Sequence, residues 1–178
     1  MTPGWGSLGL IALLWSAPPP ALAVAEPQRQ SLEYSVKANY LVRFAAFVEW
    51  PRRAFSADRS PVVICVVGRD PFSGALDRAA QAQTAHGRSL TVRRPSRAEG
   101  VSGCHLLYVG QGAGGMAPDG PRAILVVTDA TASNERGMIH FVISDERVRF
   151  HIDLQAASRS GLSISSRLLN LALSVRGG

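Results

Sequence analysis

Lysine is nearly missing from this chain of 178 residues: of its 19 basic side chains, all but Lys37 are arginine. The arginines are scattered. A formal net charge of +6 therefore reads as a solvated surface, with an acidic partner or an anionic membrane surface as the alternative, and not as a nucleic-acid footprint. Bilayer-crossing runs are lacking as well; the uncharged stretch GSLGLIALLWS near the start is too short to span. No serine sits on a nucleophile elbow and no pair of acids stands out. Cys104 and His105 are neighbours, so on a strand they point to opposite faces. An enzyme has no visible machinery here. Internal repeats are absent, and cysteine occurs only at positions 65 and 104.

The apolar stretch, followed by PPPALAVAEP, reads as a secretory signal over residues 1–25, cut near Ala25 or Ala23, although no Lys or Arg precedes it. A linker over 26–31 and a single domain over 32–176 follow, a length sufficient for one real core. An even cysteine count in an exported chain suggests a disulfide between Cys65 and Cys104. Both also lie in or beside apparent core strands, where buried free cysteine is common.

VVICVVG, CHLLYVG and AILVVTD are β-branched runs typical of strands buried on both faces. DPFSGALDRAAQAQ reads as a helix capped by Asp70, and RSLTVRR as a short strand. This order predicts an α/β fold, a mostly parallel sheet flanked by helices in three layers. MIHFVISDERVRFHIDL alternates around a polar turn and predicts a C-terminal antiparallel hairpin, and SISSRLLNLALSVRGG a final helix burying Leu168, Leu169, Ala172 and Val175.

YSVKANYLVRFAAFVEWP, residues 34–51, predicts an opening helix with more apolar surface than packing on a sheet requires. Tyr34, Ala38, Leu41, Ala45 and Val48 form one stripe, with Phe44 at its edge; Val36, Tyr40 and Phe47 form a second flank. Either the C-terminal helix covers that flank or another molecule does. GQGAGG after a strand, with Asp129 ending the next, spells a dinucleotide fingerprint. Pro118, Gly120 and Pro121 stand where its helix must start, so a flexible loop is expected. A hairpin turning at Asp145 and Glu146 sets His140 opposite His151 and Met138 opposite Asp153. The two histidines with Asp153 would suit a divalent metal or a proton-sensitive pair, or be plain exposed residues on a wet face.

Taken together, YSVKANYLVRFAAFVEWP, VVICVVGRDPF and RGMIHFVISDERVRFHIDLQAASRSGLSISSRLLNLA resemble the YfiR-like family of periplasmic regulators, over about residues 31–175. The resemblance implies a small α/β domain, often dimeric, with no cofactor and no enzymatic activity. Its implied partner is the periplasmic part of an inner-membrane diguanylate cyclase, held inactive until redox or envelope stress releases it and biofilm is favoured; other relatives accompany sensor kinases. It also implies that Cys65 and Cys104 match positions able to form a disulfide. Alignment of the two strands at Gly68 and Gly110, however, leaves these cysteines three residues, roughly 10 Å, out of register. The Gly110–Arg122 segment is shorter than the family's usual one, and the histidine pair departs from its pattern. The resemblance turns the aromatic flank, Val36, Tyr40, Phe47 and Trp50, into an expected protein interface. A periplasmic small-ligand or metal-binding protein is the alternative.

Overall fold

A computed structural model describes Met1 and residues 26–116, 120–132 and 135–177. The signal expected over residues 1–25 lies, Met1 aside, outside the described residues. The helices are α1 (Glu26–Phe47), α2 (Ala75–Gln81), α3 (Leu154–Arg159) and α4 (Ser166–Leu169). The strands are β1 (Val48–Glu49), β2 (Val62–Val67), β3 (Thr84–Ala85), β4 (Arg88–Arg93), β5 (Leu106–Val109), β6 (Leu125–Asp129), β7 (Ile139–Ser144), β8 (Arg147–Asp153), β9 (Ser163–Ile164) and β10 (Ser174–Arg176).

One sheet carries eight of these strands in the order β10-β8-β7-β6-β5-β2-β4-β3, while β1 and β9 pair separately. From β4 through β2, β5 and β6 to β7 all neighbours are parallel, and β7–β8 is the expected antiparallel hairpin. The apolar runs follow from burial on both faces. Val62, Ile64 and Val66 of β2 enter the main core beneath α1 and α2, whereas Cys65 and Val67 enter a smaller cluster on the other face. Ala38, Leu41, Phe44 and Ala45 of α1 are fully buried, and Phe44 stacks on Phe141 at 5.6 Å and meets Phe150 edge to face at 5.1 Å. Each large apolar side chain so buried contributes about 1.5–3 kcal/mol.

Three elements differ from expectation. Helix α1 begins at Glu26, so it runs through the stretch read as a linker, 26–31. Helix α2 begins only at Ala75, because Ser73 and Gly74 adopt left-handed conformations (φ 47° and 80°). Asp70 instead accepts a hydrogen bond from the Phe72 amide at 2.8 Å, an Asx turn ahead of the helix. The final helix is present but shortened to the single turn α4, with β9 before it and β10, which pairs in parallel with β8, after it. Leu168 is buried as expected, but Val175 is exposed. Backbone pairing with the open edge of β8 wins over the helical spacing of the leucines.

Candidate functional site

Of the expected stripe, helix α1 buries Tyr34, Ala38, Leu41 and Ala45, joined by Val42, and Val48 is buried just past its end in β1. The second flank divides. Val36 is 44% exposed. Tyr40 and Phe47 are partly buried against the core, Tyr40 lying 5.4 Å from the Phe150 ring. Trp50 is buried, its indole N–H donating to the His105 carbonyl at 3.0 Å. Trp50 thus anchors the end of the helix and is no part of an exposed face. At the other end of the flank the core-facing side of the hairpin outruns its cover: Phe141 and Phe150 are sealed, yet Ile143 is 46% exposed. Ile143 and its cross-strand partner Val148 form, with Leu32, Val36 and Tyr40, the apolar lining of an open groove.

Lys37 lies on the same helix and is fully buried. Its ammonium contacts Asp129 Oδ2 at 2.6 Å and forms an ion pair with Glu33, one turn earlier. It also sits 4.7 Å above the Tyr34 ring. Asp129 ends β6 and is completely enclosed. Its other contacts come from the Tyr108 hydroxyl at 3.1 Å and from the amide and hydroxyl of Thr131 at 3.1 and 2.8 Å. Burial, reinforced by Asp129, pushes the Tyr108 hydroxyl far above its ordinary pKa, so it remains a donor. The cluster pins α1 to the carboxyl end of the sheet. Asp129 is therefore unavailable to a ribose.

That end of the sheet is also where an open α/β fold would bind a ligand, between β2 and β5, where the strand order reverses. Here backbone fills the crevice. The Arg69 amide donates to Gln111 O and the Gly110 amide to Val67 O, each at 2.8 Å. A Cβ on Gly68 would lie 2.7 Å from Gln111 O, and one on Gly110 2.3 Å from Arg69 O. Of the glycines in GQGAGG only Gly110 serves this close crossing, while a Cβ on Gly112, Gly114 or Gly115 would meet open space, and among the described residues no helix stands between the motif and β6.

Cys65 and Cys104 form a disulfide with a Cα separation of 5.8 Å. The strands are in the register expected, Cys65 opposite Leu107, so an extended chain would keep the cysteines apart. Cys104 is not extended along β5. A 3-10 turn over Ala98–Val101 and a left-handed Gly103 (φ 78°) fold it back over the sheet face, its amide bonded to Val101 O. Both cysteines are buried in the smaller cluster.

The hairpin does turn at Asp145 and Glu146, and it sets His140 opposite His151. Their face is drier than a wet strand face: His140 is buried and shares a 2.7 Å hydrogen bond with the Thr128 hydroxyl. Burial, aided by Arg136 and His151 and opposed by Asp129, lowers the His140 pKa below its ordinary 6.5. His151 bonds Ser174 of β10 at 2.6 Å. Asp153 does not join them. It caps α3 through the Ala156 amide and pairs with Arg176, which holds its carboxyl below the usual range. Among the described residues no three His, Cys, Asp or Glu side chains are grouped to hold a metal. His105 is the more constrained imidazole. Its Nδ1 accepts from the Val63 amide at 3.0 Å, so Nε2 carries the proton and donates to Ala54 O at 3.1 Å.

A family model described as YfiR/HmsC-like matches residues 34–173. The chain belongs to the YfiR/HmsC-like family. No curated protein matches it significantly. The match runs from Tyr34 of α1 to the residue before β10 and so takes in Lys37 and Asp129 but not Glu33, together with the disulfide and the hairpin.

Reading the YfiR/HmsC-like chain from its residues alone overlooks the Lys37 cluster, because one lysine on an amphipathic helix passes for surface. Two signals pointed to it: Glu33 stands four residues before Lys37, the favourable helical order for a pair, and Asp129 ends an otherwise apolar strand.

Proposed function

We propose that this chain is a non-enzymatic periplasmic regulator that docks on the periplasmic part of an inner-membrane signalling protein, a diguanylate cyclase, and holds it inactive. The match to the YfiR/HmsC-like family over residues 34–173 carries the reading, since that family is consistent with periplasmic regulation of such cyclases. The incompletely covered flank of α1, with Val36 exposed beside Tyr40, supports it as a docking face. Redox state enters this reading through the Cys65–Cys104 bond. The chain acts as a homodimer, and the edge strand β10, with Val175 exposed on it and Leu171 and Leu173 exposed just before it, is the surface offered for self-association. Sedimentation of a Val175→Lys variant as a monomer, beside a dimeric parent, checks that part.

Deleting the chain in its own host should raise cyclic di-GMP, and restoring it should return the level to baseline. Tagged protein crosslinked in the periplasm should carry the cyclase with it. An unchanged cyclic di-GMP level would overturn the cyclase reading, and recovery of a sensor kinase in its place would reassign the partner.

A further inference from the structure

The groove between α1 and the tip of the hairpin has a form and a charge that specify what fits it. Leu32, Val36 and Tyr40 are spaced at i, i+4 and i+8, a straight ridge about 12 Å long on one side of the helix. Ile143 and Val148 make the opposite wall. Ridges at this spacing are what a second helix packs against, and a concave channel does not suit a flat bilayer. Its rim is basic. Arg29, Arg147 and Arg149 line it, and neither Arg147 nor Arg149 has a side-chain partner among the described residues. Of the acids at the groove, Glu33 is paired with Lys37. That leaves Glu146, in the turn, as the uncommitted one.

We propose that this groove receives an amphipathic helix of a protein partner, apolar along one face and flanked by acidic residues that meet Arg147 and Arg149. The proposal rests on the repressor reading above and adds the place and chemistry of the contact. Apolar side chains three and four apart enter between Val36 and Ile143, as in other helix-in-groove complexes. The arginine rim then sets orientation and excludes basic helices.

The test places p-benzoylphenylalanine at position 36 or at position 143 of the full chain in its own host, irradiates, and sequences the crosslinked peptides. Both positions should capture one segment of one membrane protein, with helical apolar spacing and flanking Asp or Glu. Reversing the rim with Arg147→Glu/Arg149→Glu should cut the yield by about tenfold or more, with circular dichroism and thermal midpoint unchanged. Crosslinks to the chain itself would assign the groove to a second copy, and crosslinks to lipid to a membrane surface; either overturns the proposal. So does absence of crosslinks, or a yield indifferent to the charge reversal. If deletion still raises cyclic di-GMP, those outcomes remove the groove and leave the repressor reading standing.

Discussion

Asp129 and Lys37 concentrate the risk in this core, because each is sealed from water and each depends on the other. Lys37→Met should cost about 3–5 kcal/mol in urea unfolding, since it strands a buried carboxylate. Lys37→Met combined with Asp129→Leu should lie above either single variant, because an apolar pair replaces the ion pair without leaving a lone charge. His105 makes a second prediction. Burial, reinforced by the nearby charge of Arg88 and opposed by the bond to Ala54 O, lowers its pKa below 6.5. The folded chain therefore prefers the neutral ring. That contribution is complete above pH 6.5 and is lost as pH falls through the folded-state value. Urea midpoints taken from about pH 8 to about pH 5 should fall toward acid, and more shallowly in His105→Asn. His140 shifts the same way and adds to the same window. The sequence made His140 visible because its hairpin alternates. It hid His105, whose partners Val63 and Ala54 lie 42 and 51 residues away.

The hairpin was legible as an element because its alternation and its polar turn agree. The turn is still strained: Asp145 and Glu146 have φ of 51° and 57°, the left-handed region on both central residues of a two-residue loop. Asp145→Asn/Glu146→Gly should raise stability by about 1–2 kcal/mol, read from thermal or urea midpoints, by removing that strain. The last segment was not legible. Leu168, Leu169 and Ala172 have helical spacing, and only the open edge of β8, built by residues earlier in the chain, turns Ser174–Arg176 into a strand. The start of α2 is hidden in the sequence for a local reason: Ser73 and Gly74 reverse the backbone between the expected cap and the helix.

For the molecule as a whole, a mostly parallel sheet and the presence of a disulfide could be expected from apolar runs and compartment, while the turn that brings Cys104 back over the sheet could not. The bond closes a separation of 39 residues, so Cys65→Ala/Cys104→Ala should lose about 4 kcal/mol in urea unfolding. Cys65 and Cys104 are 0% and 4% exposed. Dithiothreitol should therefore reduce the native protein slowly, at a rate that rises with added urea in step with unfolding; rapid reduction of the native state would contradict this. A bond shielded in this way does not follow the solution around it from minute to minute. The chemistry that counts is what the chain met while folding, and each molecule afterwards carries the state in which it closed. A population of such molecules is then an archive of the conditions under which its members were made, rewritten only as fast as old copies unfold or are replaced.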